Sequence, residues 1–368
     1  MKIRSLFVSF LVSCMFLTGC VEREILDDLY IETGKAFDYE GEDKIRGTAL
    51  FPIYLADKSI QNGTLSAEAS STREVLEKLE RRSQQPLVRG SLDIVLIGEE
   101  LARKGIIDIG DSLQRDASVG ARLYLTVTEG EAGELIKGNY GLRGNGTYLS
   151  NLIHHNINRR ELPATNLHMF IFDYFQEGQT PYLPILKQLS NESVAITGVA
   201  LFDKDKMIKK IPAKDMFFFK LLVDRFAEGS HVIKMGKERG SGHVEKSVEA
   251  SVTSLKSKSK IIVKHNTNPV EVTIRIKIRG IIREYTGKNL TPDKVIEVEK
   301  EMKKDIEENC LKMLKDFQEL GIDPVGIGQS QKHGIRGFDF KEWDDSIYPQ
   351  VKFNVEAKVQ ILEAGTVE

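Results

Sequence analysis

The sequence predicts an α+β fold, multi-domain and mixed α/β. Over residues 47–138, short apolar runs alternate with amphipathic helix patterns, which predicts a mixed sheet covered by helices. In the C-terminal half, long segments alternate apolar and polar residues, and one helix pattern extends over about 30 residues. The N-terminal half is therefore expected to alternate strands and helices. The C-terminal half is expected to form a largely antiparallel sheet packed by one long helix.

A chain of 368 residues is long enough for two or three domains with ordinary cores. We expect a lipoprotein signal peptide at 1–19, an N-terminal mixed α/β domain at 20–138, a second small domain at 139–193, and a C-terminal domain of sheet and long helix at 194–368.

Composition and charge exclude several classes of protein. Hydrophobic residues make up 41% of the chain and charged residues 29%, which excludes a disordered chain and a membrane protein with many spans. The formal net charge is −2, and it becomes −4 if residues 1–19 are removed, because that stretch carries Lys2 and Arg4 and no acid. Neither charge suggests nucleic-acid binding.

The first 20 residues have the pattern of a bacterial lipoprotein signal. Lys2 and Arg4 precede the apolar segment "SLFVSFLVSCMFL", which is too short for a bilayer span of ~20 residues. The box Leu17-Thr18-Gly19-Cys20 follows; in such a box the cysteine thiol takes a diacylglyceryl group and the peptidase cuts just before it. Two acyl chains hold a protein stably on a membrane, whereas one binds only marginally. Cys20 is therefore the predicted lipidation site.

Two other interpretations of this segment stay open: an ordinary signal peptide that contains a cysteine by chance, and an uncleaved N-terminal anchor. After residue 20 no segment reaches 18 uninterrupted apolar residues, so the rest of the chain is expected on the outer side of a membrane. Cleavage before Cys20 would remove Cys14 and leave Cys310 as the sole possible free thiol. No intrachain disulfide is then expected.

The elements of the N-terminal half follow from apolar periodicity. Strands are predicted at "TALFPIYL", "LDIVLIG" and "ARLYLTV". Helices are predicted at "SSTREVLEKLERRS", which opens with a capping box from Ser71 to Glu74, and at "EELARKG", "IIDIGDSLQRD" and "EGEAGELIKG".

Residues 139–193 have a weaker pattern. "YGLRGNGTY" is expected to be a glycine-rich loop. Three further segments are interpreted as short helices or mixed pieces: "SNLIHHNINRREL", "NLHMFIFDYFQE" and "PYLPILKQLS".

The C-terminal half begins with the predicted hairpin "ITGVALFDKDKMIKKIP", which turns at Asp203-Lys204-Asp205, and continues with the helix "AKDMFFFKLLVDRF". In "VEVTIRIKIRGII", apolar residues at 270, 272, 274, 276 and 278 share one face of a strand. The other face carries Arg275, Lys277 and Arg279. This cationic stripe could face acidic lipid or wall polymer, or it could be the solvated side of an amphipathic strand.

The longest predicted helix follows Thr291. Thr291 suits the N-cap, Pro292 the first helical position and Gly321 the stop. Its expected buried stripe is Met302, Ile306, Cys310, Met313, Phe317 and Leu320. A final strand, "VKFNVEAKVQI", alternates apolar and polar residues to the end of the domain.

No pattern for catalysis, metal binding or a cofactor is found. Cys310 lies on the apolar stripe of the long helix and is expected to be a buried structural thiol. The histidines do not form the H-E-x-x-H spacing of a zinc site; they are His154, His155, His168, His231, His243, His265 and His333. "GLRGNGTY" and "GIGQSQKHG" lack phosphate-loop spacing and are expected to be loops, and "RGSGH" is not a nucleophile elbow.

Several segments together resemble one known family, the C subunits of spore germinant receptors, called Ger(x)C lipoproteins. The resemblance starts at "GCVEREILDDLYI", continues through "LDIVLIGEELARKGIIDIGDSLQRD", "LYLTVTEGEA" and "ITGVALFDKDKMI", and ends in "DPVGIGQSQK" and "WDDSIYPQVKFNVEAKVQILEAG". Family members often have a tryptophan directly after the lipid cysteine, where this chain has Val21, and a tryptophan and histidine before the "IVLIGEELA" strand, where it has "QQPLVRGS".

The resemblance implies a three-domain mixed α/β lipoprotein on the outer surface of the spore inner membrane. It implies assembly with two membrane subunits, A and B, in a complex that senses nutrients and triggers germination. The family offers no catalytic residues to transfer, and Cys20 matches its lipid cysteine. The alternative function is a solute-binding lipoprotein of a membrane transporter, which would need two similar doubly wound lobes around a cleft.

Overall fold

The computed structural model describes residues 28–225, 228–239, 245–264, 267–332 and 337–364. Within them, the strands are β1 (Tyr30–Ile31), β2 (Gly34–Tyr39), β3 (Ile45–Tyr54), β4 (Ile60–Ala69), β5 (Leu87–Val88), β6 (Ile94–Gly98), β7 (Tyr124–Thr128), β8 (Tyr182–Ser190), β9 (Ser193–Asp203), β10 (Lys206–Pro212), β11 (Gly229–Arg239), β12 (Glu245–Lys264), β13 (Glu271–Tyr285) and β14 (Lys352–Ala364).

The helices of the same residues are α1 (Thr72–Arg82), α2 (Glu99–Lys104), α3 (Ile107–Arg115), α4 (Ala132–Ile136), α5 (Asn145–Arg159), α6 (Leu167–Phe175), α7 (Met216–Val223), α8 (Pro292–Glu319) and α9 (Ile327–Lys332). Residues 340–350 add a run of short helical turns. None of the helices described has the length and hydropathy needed to span a bilayer.

The larger sheet has eight strands in the order β10-β9-β8-β7-β6-β2-β3-β4. Its centre, β2-β6-β7-β8, is parallel, and an antiparallel meander flanks each side. The central strands of this sheet are apolar on both faces because both faces are buried. In β2, for example, Ala36 belongs to the core on one side of the sheet and Phe37 to the core on the other side. This mixed sheet with helices on both faces confirms the predicted fold class.

Local signals in the N-terminal half act as the sequence predicts. Ser71 caps α1 by accepting the backbone N–H of Glu74 at 3.2 Å, and the carboxylate of Glu74 accepts the hydroxyl of Ser70 at 3.1 Å. The stop of α2 is Gly105, whose φ of 128° is a conformation that side chains rarely adopt.

The segment "PYLPILKQLS" is the strand β8, and its interpretation as a helix or mixed piece is wrong. Tyr182 to Leu186 are all buried, because the strand lies between β7 and β9 in the eight-stranded sheet. A buried strand and a buried helix segment of this length carry the same local apolar signal.

The predicted domain divisions at 138/139 and 193/194 stay proposals. The eight-stranded sheet extends across both positions, since β7 precedes the first, β8 lies between them and β9 extends beyond the second. The hairpin β9–β10, which the sequence places in the C-terminal domain, thus belongs to the eight-stranded sheet, where β9 pairs with β8.

A second sheet has four strands in the order β11-β12-β13-β14 and is called the smaller sheet below; β1 and β5 form a separate parallel pair. Its first two pairings are antiparallel, while β13 and β14 are parallel. Helix α8 lies against the apolar face of this sheet, with Thr291 as its N-cap and Gly321, at φ +68°, just beyond its end. The predicted sheet with one long helix is confirmed.

Two details of this half differ from the prediction. The buried stripe of α8 is Val298, Met302, Ile306, Cys310, Leu314 and Phe317, so Leu314 takes the place predicted for Met313, and Leu320 is exposed. Within the predicted loop "GIGQSQKHG", residues 327–332 form the helix α9. Its first turn is held by Asp323, whose Oδ2 accepts the N–H of Gly328 at 2.8 Å.

Candidate functional site

The predicted lipid-attachment residue, Cys20, lies outside the described residues, which begin at Asp28. From Tyr30 on, the described chain is hydrogen-bonded to the body. The N–H of Tyr30 donates to Pro86 at 3.0 Å and that of Glu32 to Val88 at 2.8 Å. The ring of Tyr30 also stacks on Phe51, with centroids 4.1 Å apart.

A buried ion pair fixes the next residues. Lys35 Nζ lies 2.7 Å from Glu32 Oε2, and each side chain is only 1% exposed. Burial lowers the pKa of Lys35, while the charge of Glu32 opposes that shift. The chain that would lead to the anchor is therefore joined to a rigid part of the sheet.

The described histidines, for which the sequence predicts no site, are spread over separate elements. His154 bonds Tyr124 Oη at 3.0 Å, and His231 stacks on Phe217 and contacts Asp305 at 3.3 Å. His155 and His168 are exposed on α5 and α6. His243, His265 and His333 lie outside the described residues, as does Ser241 of "RGSGH". Across the part of the chain that the structure describes, no three metal-ligating side chains are grouped as a cation site requires.

Cys310 is a buried thiol, as the sequence predicts. Its Sγ lies 3.7 Å from the carbonyl oxygen of Phe218, and burial raises the pKa of the thiol far above its ordinary value. A thiol kept protonated in an apolar core is a poor nucleophile.

A cavity of about 250 Å³ lies at the junction of the two halves. Its wall includes Asp173 of α6, Asp323 after α8, Asp344 and Tyr348. Burial raises the pKa of Asp173 and of Asp323 to about 7 in each case, so these carboxyls tend to hold a proton. The N–H of Thr180 donates to the carbonyl of Asp323 at 3.0 Å. The cavity is thus part of the contact between the two halves.

The predicted cationic stripe is one strand of a wider cationic grid. On the face of the smaller sheet opposite α8, exposed residues of β12, β13 and β14 align in three rows. The rows are Lys256–Arg279–Gln360, Lys258–Lys277–Lys358 and Lys260–Arg275–Glu356. Seven of these nine residues are cations.

Within the described residues, the cationic grid holds one ion pair, Arg275 with Glu356 at 2.9 Å. The middle row places three lysines side by side on hydrogen-bonded strands, an arrangement that costs stability. The chemistry of this face suits an anionic partner surface.

Comparisons with known proteins agree over nearly the whole chain. The family described as "Spore germination protein N-terminal domain" matches residues 22–188, and "Spore germination B3/ GerAC like, C-terminal" matches residues 197–365. "Spore germination protein GerQC" of Bacillus cereus is 32% identical over 365 residues, which cover 98% of this chain and 99% of that protein. The chain belongs to the GerAC-like family of spore germination proteins.

Two further members extend the comparison. "Putative spore germination protein YfkR" of Bacillus subtilis (strain 168) is 23% identical over 387 residues, covering 96% of this chain and 95% of that protein. The solved structure titled "Crystal Structure of the GerBC protein" superposes with a TM-score of 0.55 at 15% identity, covering 90% of this chain and 97% of that one. The fold is therefore the GerAC-like fold, and the resemblance found in the sequence is confirmed.

Some features of this GerAC-like chain escaped the sequence argument although a signal existed. The alternating lysines of "LKSKSK" at 255–260 carry the period of a strand and could have shown that the cationic stripe continues on β12. The single acid in the apolar segment "HMFIFDYF" likewise marks Asp173 as a buried carboxyl. The junction with Asp323 has no local signal, because the two residues are far apart in the chain.

Proposed function

We propose that this chain is a lipid-anchored accessory subunit of a nutrient germinant receptor complex, acting by assembly and signalling rather than catalysis. The observation that carries the proposal is the similarity to GerQC over 98% of the chain, since relatives matched from end to end share their whole set of elements. The proposed location is the outer surface of the spore inner membrane.

The geometry supports a role in assembly. The described histidines are dispersed over separate elements, and Cys310 is buried in the core. The most distinctive exposed feature of the described residues is the cationic grid on the smaller sheet. Charged surfaces of this kind steer and orient binding partners.

The proposed partners are the membrane subunits A and B of the receptor, and the membrane lipid through acylated Cys20. Support for the anchor comes from the sequence box Leu17-Thr18-Gly19-Cys20 and from the fixed course of the chain after Asp28.

The alternative, a solute-binding lipoprotein, is less well supported. It would need two similar lobes around a ligand cleft. The two largest sheets of the described residues differ in strand number and order, with eight strands in one and four in the other.

The anchor is tested with Cys20→Ala in sporulating cells. We expect the variant to leave the membrane pellet for the soluble fraction in detergent-free fractionation and to slow nutrient germination, while its body still folds. Cys14→Ser is the matched control, because that cysteine lies in the leader outside the box, and it should fractionate as the wild type does. A Cys20→Ala protein that stays in the membrane pellet would show that the anchor assignment is wrong.

A further inference from the structure

The strands β2 and β3 give the molecule a direction relative to its N-terminus. They pair antiparallel, with Gly34 opposite Leu50, and the N–H of Thr33 donates to Leu50 at 2.9 Å. Residues before Gly34 therefore lie beside the part of β3 that follows Leu50. The stacking of Tyr30 on Phe51 shows the same direction. The N-terminus of the described chain and the β3–β4 turn thus lie at one end of these strands.

A loop before α5 joins this end. Asn62 of β4 and Asn145 of α5 exchange two hydrogen bonds, at 3.1 and 2.9 Å. Gly146 lies so close to Thr33 that a Cβ there would be 2.6 Å from Thr33 Oγ1. A Cβ at Gly144 would lie 3.6 Å from the side chains of Ile60 and Asn62. The end of the loop that leads into α5 therefore lies next to the start of β4, beside the β3–β4 turn.

The resulting end of the molecule exposes apolar side chains. Leu142 is 94% exposed, Tyr54 is 70% exposed and Leu55 is 43% exposed. Lys58 of the β3–β4 turn and Arg143, which follows Leu142 in the chain, are exposed as well. We call these five residues the anchor-end surface.

The β3–β4 turn holds its part of this surface in one conformation. The N–H of Leu55 donates to Ser59 at 3.0 Å, and the N–H of Lys58 donates to Leu55 at 2.9 Å. Asp57 accepts both the N–H and the hydroxyl of Ser59, at 2.9 and 2.6 Å. The exposed Tyr54 and Leu55 are thus presented by a rigid turn.

We propose that the anchor-end surface inserts into the headgroup region of the membrane. This inference rests on the proposed lipid anchor. Cys20 precedes Asp28 by eight residues, so their Cα atoms are at most about 30 Å apart. The opposite turn of the same strands, at Lys44, lies about 30 Å from Tyr54 along β3. Because the described chain begins beside Phe51, a linker that is not stretched to its full length along the body keeps the lipid nearer to the anchor-end surface than to the turn at Lys44.

The composition of the surface fits the membrane as occupant. Tyrosine is favoured at the membrane–water interface, where its ring meets acyl chains and its hydroxyl meets water. Exposed leucines enter the boundary between headgroups and acyl chains, and basic residues beside them attract anionic lipid.

The experiment measures depth at two positions of the full-length protein, reconstituted in vesicles of phosphatidylglycerol and phosphatidylethanolamine. Leu142→Cys and, as the matched control, Lys44→Cys are labelled with a thiol-reactive fluorophore. Cys310 is buried and should not react. In the proposed mature protein Cys14 has left with the signal peptide and the thiol of Cys20 is blocked by its lipid, so the introduced cysteine is the one that is labelled. Lipids carrying a nitroxide near the headgroup then quench any fluorophore at that depth. We expect at least twofold stronger quenching at position 142 than at position 44.

Equal quenching at the two positions, or stronger quenching at position 44, would overturn the inference. Such a result would show that this surface meets a protein or water. The proposed anchor is judged separately, by the mass of the N-terminal peptide from the same samples. Stronger quenching at position 142 of acylated protein supports the inference, whereas an N-terminal peptide without lipid contradicts the proposed anchor on which the inference rests.

Discussion

At the scale of single residues, the carboxyl group of Asp323 links the junction of the two halves to pH. Its pKa of about 7 lies above the value of about 3.9 for an exposed aspartate in the unfolded chain. The folded state therefore binds the proton more tightly. The free energy of unfolding falls as the pH rises from about 4 to about 7. Above pH 7 the carboxylate is ionised in both states, and the destabilisation of the folded state by its burial is complete.

We expect Asp323→Asn to raise the free energy of unfolding at pH 8 by about 1–3 kcal/mol, and by much less near pH 4. The amide replaces a neutral acid of the same shape and can still accept the N–H of Gly328. Urea unfolding followed by fluorescence of Trp343, the single tryptophan, measures the effect. Asp345→Asn, an exposed neighbour, is the control and should leave the pH profile unchanged. A variant that is less stable than the wild type at pH 8 would contradict the role given to burial.

At the scale of elements, helix α8 shows which buried residues apolar periodicity can predict and which it cannot. Met302, Ile306, Cys310 and Phe317 were predicted to be buried, and they are. The choice between Met313 and Leu314 could not be predicted, because steps of three and of four residues from Cys310 both keep an apolar residue near the same face. Packing against the smaller sheet selects Leu314.

Leu314→Ala should therefore cost about 2–5 kcal/mol of unfolding free energy, since it opens a cavity in the core. Met313→Ala, at a partly buried position, should cost about 1 kcal/mol. Urea unfolding of the two variants under the same conditions compares them. Equal losses, or a larger loss for Met313→Ala, would show that the stripe predicted from the sequence is the correct one.

For the cationic grid on the smaller sheet, we predict a substitution that raises the free energy of unfolding. Lys277 lies between Lys258 and Lys358, so Lys277→Glu should raise the free energy of unfolding by about 0.5–1 kcal/mol at low salt. The gain should shrink in 1 M NaCl because salt screens exposed charges. Arg275→Glu is the matched control: it loses the ion pair with Glu356 and should be destabilised. Thermal unfolding at two salt concentrations tests both, and a loss of stability for Lys277→Glu would contradict the repulsion inferred within the row.

At the scale of the whole molecule, local patterns predicted most strands and helices but not which of them pair. The strand β8 was missed because its apolar run fits a helix equally well, and its pairing with β7 depends on residues more than 50 positions apart. The cavity at the junction also could not be predicted, because it forms between α6 and the segment after α8, which are far apart in the sequence. The lipid box, by contrast, is a local pattern that is legible in the sequence alone.

The central claim concerns assembly, and it is tested most directly by purifying the tagged protein from spore membranes under mild detergent and identifying what accompanies it by mass spectrometry. We expect A- and B-type multispanning subunits of one germinant receptor to co-purify with the wild type in comparable amounts, and to be absent from an untagged control. Recovery of the protein without either subunit, or with the membrane domains of a solute transporter in their place, would contradict the account.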